Sequence, residues 1–294
     1  MNITLTGATG FIGQRLVREL VSRGDAVTIL TRRARAGSPG VRYVEWDSVS
    51  PPAVDADAVI HLAGEPVAQR WTAEVKARIR SSRVQGTRAL VDGILAAQRR
   101  PAVLVSASAI GIYGDRGDEV LTETSRPGTG FLADVSVEWE RESARAVAQG
   151  VRVVNPRIGI VLGSEGGALA KMLTPFKAGV GGRLGSGKQW MSWIHVADMV
   201  SLILFALDHD AAVGPFNGTA PAPVRNSEFT SELAGVLHRP GLLPVPGLAL
   251  RAVFGEMSQV LLASQRVVPE KAERLGFQFR YPDLRGALLD VAGK

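Results

Sequence analysis

Residues 2–13 read Asn2-Ile3-Thr4-Leu5-Thr6-Gly7-Ala8-Thr9-Gly10-Phe11-Ile12-Gly13. Ile3 and Leu5 alternate with polar residues, as in a short strand. Gly7, Gly10 and Gly13 follow at three-residue spacing. An apolar pattern of helical period then runs through Phe11, Ile12, Leu16, Val17, Leu20 and Val21. Strand, glycine turn and helix in that order suit a dinucleotide pyrophosphate. The glycines let the backbone approach the phosphates, and the helix N-terminus offers unpaired N–H groups at the positive end of its dipole. Glycines alone mark only a turn; here the flanking strand and helix agree with them. Thr9, Phe11 and Ile12 stand between the glycines and belong to the same candidate phosphate loop.

The next strand, Ala26-Val27-Thr28-Ile29-Leu30, ends in Thr31-Arg32-Arg33. NAD-preferring sites carry an Asp or Glu there for the ribose 2′-hydroxyl. Two guanidiniums suit a 2′-phosphate instead, through forked, charge-assisted bonds. No acid lies within residues 31–37, so NADP(H) is expected in preference to NAD.

The chain has 294 residues, 46% of them hydrophobic, enough for a large core. No run approaches the roughly 20 apolar residues of a membrane span, and no basic-then-apolar leader opens the sequence. It has no cysteine, which removes disulfides, thiolate catalysis and Cys-ligated zinc together. A cytoplasmic setting is expected. The net charge of +6 raises nucleic acid as a partner. The basic residues are scattered, however, and the densest segment, 76–100, carries Val75, Ile79, Leu90, Val91, Ile94 and Leu95 at helical spacing, so its charges form a wet face. The partner expected is a small-molecule substrate, with no nucleic acid and no membrane; a homodimer is left open. Four histidines without ligand spacing give no metal site.

Strand-like runs at 59–62, 102–106 and 151–154 alternate with helical runs at about 73–98 and 133–149. That rhythm predicts an α/β fold: a doubly wound parallel Rossmann sheet. After Leu162, glycine-rich loops and proline-spaced helices predict a smaller, mostly helical C-terminal domain on the substrate side. The expected division is 1–160 and 161–294, with residues near 190–208 also contributing to the first unit.

The residues resemble the extended short-chain dehydrogenase/reductase superfamily, the group containing nucleotide-sugar epimerases and dehydratases. The phosphate loop, His61-Leu62-Ala63-Gly64, Gly86-Thr87, Ser106-Ala107-Ser108 with Ile112-Tyr113-Gly114, and Trp193 to Asp198 all match its motifs. Stretches 61–65, 162–172, 175–187, 189–195 and 255–281 are similar to an atypical, NAD-dependent epimerase/dehydratase-like branch that ends in a domain of unknown function (DUF1731 type), here about 246–292. The resemblance implies that Leu62, Ala63, Gly64 and Glu65 line the cofactor groove and that Arg83 approaches the cofactor. Ser106, Pro156 and Ile158, at strand ends, complete the implied cofactor set.

The superfamily uses a Tyr whose pKa is lowered by a Lys four residues on, assisted by a Ser. This chain departs from that pattern. Residues four beyond Tyr43, Tyr113 and Tyr281 are Asp47, Gly117 and Arg285. The aligned region has Phe131 or Leu132 for the tyrosine and Val135 or Ser136 for the lysine. Ser108 and Tyr113 are the surviving catalytic candidates, Tyr113 as proton donor; capping and packing are their structural alternatives. His195, at a helix start, reads as structural. Gly182 to Lys188 satisfies most of a phosphate-loop pattern, but Gln189 stands where Ser or Thr should bind magnesium and no strand leads in, which excludes an NTPase. Two functions compete: an NADP-dependent oxidoreductase or epimerase-like enzyme, and a non-catalytic NADPH-binding sensor or regulatory protein.

Overall fold

The computed structural model describes residues 1–33, 35–241 and 244–293, and of Lys171 the backbone alone. Eight strands among them build one parallel sheet: β1 (Asn2–Thr6), β2 (Ala26–Thr31), β3 (Val41–Glu45), β4 (Ala58–His61), β5 (Val103–Ser106), β6 (Ser108–Ala109), β7 (Arg152–Ile158) and β8 (Gly214–Gly218). Their order is β8-β7-β5-β4-β1-β2-β3, and the two-residue β6 pairs with the end of β7. The order reverses between β1 and β4, the point where open α/β sheets bind ligands at the carboxyl ends of their strands.

Alternation along the strands supplies both faces. Ile3, Leu5, Ile29, Ile60 and Val105 share one core with Leu16 and Leu20 of α1 (Phe11–Ser22) and with Met199, Leu202 and Ile203 of α5 (Val196–Asp208). Leu30, Val59, Leu104 and Val153 point to the opposite core with Leu90, Val91 and Ile94 of α2 (Ala73–Ala96). The helix α3 (Phe131–Ala144) packs beside α2. Sheets covered on both faces carry near-continuous apolar strands, as the fully buried β4 and the apolar run of β5 do.

The predicted helix 133–149 ends sooner, and the predicted strand 151–154 runs on to Ile158. Strands β3 and β8 were not expected. Gly214-Pro215-Phe216-Asn217-Gly218 lacks β-branched residues and is held as an edge strand by pairing with β7 and by the fully buried Phe216. So α5 and β8 both return to the sheet from beyond residue 160.

The remaining C-terminal elements are mostly helical: α4 (Gly167–Lys177), α6 (Asn226–Leu237), α7 (Gly247–Phe254), α8 (Ser258–Leu262), α9 (Glu270–Arg274) and α10 (Leu284–Val291). Leu169, Phe176, Trp193, Phe229, Leu233 and Leu288 form a second core there. No helix among the described residues is long and apolar enough to cross a membrane, and they hold no group of three metal-ligating side chains.

Candidate cofactor cleft and hydride site

At the carboxyl ends of β1, β2 and β4 lies a cleft of about 200 Å³, bounded by the 7–10 turn, Thr31 and Arg32, Trp46, Ser48 and the 62–64 turn. The glycine turn is tightly fixed. A Cβ on Gly7, whose φ is +74°, would stand 2.6 Å from the Leu62 carbonyl carbon, and one on Gly13 would stand 2.2 Å from the Gly7 oxygen. Gly10 differs: its φ is −77° and its nearest neighbour would be 3.2 Å away, so protein packing alone does not demand a glycine there. No side chain caps α1 at Gly10. Its first-turn N–H groups therefore face the cleft, a ready anion site. The ring of Phe11 seats on the 163–167 turn, where a Cβ on Gly163 would stand 2.3 Å from it. Only the backbone of Phe11 is left for the cleft.

His61 ties this site together. Its Nδ1 lies 2.6 Å from Thr6 Oγ1 and its Nε2 3.0 Å from Thr87 Oγ1, and Thr6 Oγ1 also accepts from the Ala63 N–H. Burial, helped by the nearby Arg83 charge, pushes the imidazole down to about 4. It stays neutral at physiological pH.

Arg32 and Arg33 are exposed, and neither has a carboxylate partner among the described residues; Arg32 lines the cleft. Trp46 and Ser48 also line it, although sequence reading did not find them. Asp47 between them accepts bonds from the Val49 and Ser50 N–H groups, and that Asx turn after a strand was the available signal.

Arg83 enters from α2. Its Nη1 donates to the carbonyls of Glu65 at 2.9 Å and Ile79 at 3.3 Å. Its guanidinium carbon stands 5.2 Å from the Trp139 ring centroid, and a Cβ on Gly64 would touch it at 3.2 Å. Burial lowers it to about 10, partly offset by Glu65, so it remains a cation at neutral pH.

The positions aligned with the usual acid–base pair are apolar or buried. Phe131 packs edge-on against Trp71 at 5.1 Å, Leu132 lies against Gly111, and Val135 and Ser136 are buried. Tyr113 does not replace the missing tyrosine. It is 0% exposed; its hydroxyl lies 2.7 Å from Asn217 Oδ1 and 2.9 Å from the Thr122 carbonyl, and it accepts from Arg157 Nη1 at 2.8 Å. Burial raises it against the pull of Arg157. The hydroxyl is committed to interior partners, a core anchor where a proton donor open to the cleft was expected.

Ser108 is 2% exposed and donates to Glu140 Oε1 at 2.7 Å. Glu140 is gripped in turn by Arg157, through Nε at 2.8 Å and Nη2 at 2.9 Å. Ser106 Oγ is buried and has no hydrogen-bond partner among the described residues. Pro156 is buried, whereas Ile158 is half-buried beside Ala109. His195 accepts from the Ala197 N–H at the start of α5 and meets Asp290 at 3.1 Å, a structural position. The Gly182–Lys188 segment is a turn running into a short strand (Trp190–Met191), without the strand–helix frame of a phosphate loop.

The pattern of the NAD dependent epimerase/dehydratase family matches residues 3–217, and that of a domain of unknown function, DUF1731, matches residues 245–291. The chloroplastic epimerase family protein SDR39U1 homolog of Arabidopsis thaliana is 45% identical over 98% of this chain and 86% of its own length. An epimerase family protein of Staphylococcus epidermidis is 41% identical, covering 98% and 97%. Among solved structures, the human epimerase family protein SDR39U1 (isoform 2) with NADPH superposes with a TM-score of 0.93 at 32% identity, covering both chains fully. A glycine turn at the sheet's switch point, an uncapped helix facing the cleft and these relatives agree, and the chain belongs to the NAD dependent epimerase/dehydratase family.

Proposed function

We propose that the chain binds NADP(H) in this cleft and acts as an NADP-dependent oxidoreductase or epimerase-like enzyme of the extended short-chain type, without the Tyr–Lys pair. The observation that carries the reading is the cradle made by Gly7 and Gly13 beneath the uncapped start of α1. It leaves room for a pyrophosphate where the backbone must come close. The N–H groups of residues 11–13 would hold the pyrophosphate, since that of Gly10 already donates to the Gly7 carbonyl at 3.0 Å. Thr31, Arg32 and Arg33 would hold the 2′-phosphate, and Leu62 to Glu65 with Arg83 would hold the nicotinamide half. NADPH in the human relative supports the same cofactor here. In this reading residues 1–160, with α5 and β8, carry the cofactor, and most of 161–294 faces the substrate.

The bound nicotinamide would supply or accept a hydride. Around it the chain offers a fixed cation and few protons. Arg83 is anchored through Nη1 and holds negative charge developing on a neighbouring oxygen. The single proton of Ser108 is committed to Glu140, which is itself paired with Arg157. Ser108 therefore meets a ligand as an acceptor. The proton balance of any hydride transfer then falls to solvent or to the substrate.

The apolar Phe131 and Leu132 favour the second reading, an NADPH-binding sensor without turnover. A screen of carbonyl compounds and nucleotide sugars against NADPH separates the two. Oxidation of NADPH by one compound class supports the enzyme, and tight cofactor binding with no oxidation across the screen supports the sensor.

A further inference from the structure

We propose that the C-terminal segment from α7 to Met257 is a lid latched onto the loop leaving the cofactor cleft, and that its opening gates cofactor exchange. The proposal rests on the cofactor reading above. The loop begins at Gly64, on the cleft wall, and runs to the start of α2. It is braced internally by Gln69 Nε2, which donates to Glu65 Oε1 at 3.1 Å and to the Pro66 carbonyl at 2.6 Å. Two charged groups then reach across to the C-terminal segment. Arg70 Nη1 donates to the last-turn carbonyls of α7, Ala252 at 3.1 Å and Val253 at 3.4 Å. Lys76 Nζ meets both oxygens of Glu256, at 2.8 and 2.9 Å. Positive charge at a helix C-terminus is favourable, so Arg70 both caps and attracts α7.

Between the two latches Trp71 and Val75 pack against Met257, with Val67, Phe254 and Leu261 half-buried around them. This patch abuts Phe131 and Leu132, the positions aligned with the missing catalytic tyrosine. The cover over Trp71, Phe131 and Leu132 is thus made by a segment outside the sheet.

The fastening is of a kind that breaks readily. Lys76 and Glu256 keep 32% and 40% of their side-chain surface in solvent, where ion pairs are weak and screened by salt. Gly255, with φ +60°, joins α7 to the following turn, a backbone position suited to a hinge. Contacts of this sort belong to the locally opening part of a structure, whereas β1 and β4 belong to the core.

A gate has a kinetic signature that damage to a binding site lacks: it speeds entry and exit together and leaves the equilibrium unchanged. The test uses the full-length protein with Lys76→Glu, Glu256→Lys and the double charge reversal. Stopped-flow NADPH fluorescence should show association and release both two- to fivefold faster in each single variant, with Kd unchanged, and both rates restored in the double reversal. Amide hydrogen exchange of residues 65–72 and 247–257, measured without cofactor, reads the latch independently and should be faster in the single variants. Unchanged rates and exchange in the single variants would overturn the proposal, as would a weakened Kd that the double reversal does not restore. If the unmutated protein fails to bind NADPH, the cofactor reading falls, and the exchange measurement still decides whether the latch exists.

Discussion

Acid should loosen this protein through His61 before it titrates the surface. The imidazole bridges Thr6 and Thr87 in full burial, and its pKa is held near 4, against an ordinary value of 6.5. Below pH 6.5 the unfolded chain binds a proton that the folded chain refuses. The stability His61 contributes is therefore fully present above pH 6.5 and is lost as pH falls towards 4. At pH 5 those two values correspond to a loss of about 2 kcal/mol relative to pH 8, and near pH 4 to about 3 kcal/mol. Urea unfolding of the unmutated protein and of His61→Gln at pH 8, 6.5 and 5 isolates the effect, because other titrating groups cancel in the difference. His61→Gln is expected to be the less stable at pH 8, and the gap should close by about 2 kcal/mol by pH 5. A gap that stays constant across that range would refute the assignment of a neutral, desolvated His61.

The two ends of the glycine turn should respond differently to a methyl group. Gly13→Ala drives a Cβ into the Gly7 carbonyl and should destabilise the fold by about 3 kcal/mol in thermal or urea unfolding. Gly10→Val, at an ordinary backbone angle, should keep the fold within about 1 kcal/mol and abolish NADPH binding in calorimetry, because the side chain projects where the pyrophosphate would lie. Tyr113→Phe strands Asn217 Oδ1 in the interior and removes one of the two acceptors of Arg157 Nη1, and should cost about 1–3 kcal/mol of stability, with NADPH affinity unchanged. A variant of normal stability that binds NADPH poorly would return Tyr113 to the site.

The parts of the site written in local pattern were legible in the sequence. The 2–13 stretch announces a strand, a turn and a helix within twelve residues, and the polar–apolar alternation of β1 and the apolar run of β5 are read directly from residue order, although Thr4 and Thr6 are buried as well. The parts created by distant contacts were not legible. Tyr113 looked like a cleft residue from its motif, but Asn217 and Arg157, 104 and 44 positions away, draw its hydroxyl inward. Glu140 and Arg157 are unremarkable charges until the fold clamps them around Ser108. Strand β8 carries glycine and proline where β-branched residues would have signalled it, and only its pairing with β7 makes it a strand. Trp46 and Ser48 reach the cleft through the loop after β3, an edge strand whose alternation is weak.

The proposed preference for NADP(H) rests on Arg32, whose guanidinium would meet the 2′-phosphate. Arg32 lines the cleft with no carboxylate partner among the described residues, so its charge is free for a ligand. Titration calorimetry of NADPH and NADH against the unmutated protein and Arg32→Ala is the direct test. NADPH should bind the unmutated protein more tightly than NADH. Arg32→Ala should weaken NADPH roughly ten- to hundredfold, the loss of one charge-assisted pair, and leave NADH nearly unchanged. Equal affinity of the unmutated protein for the two cofactors would contradict the account.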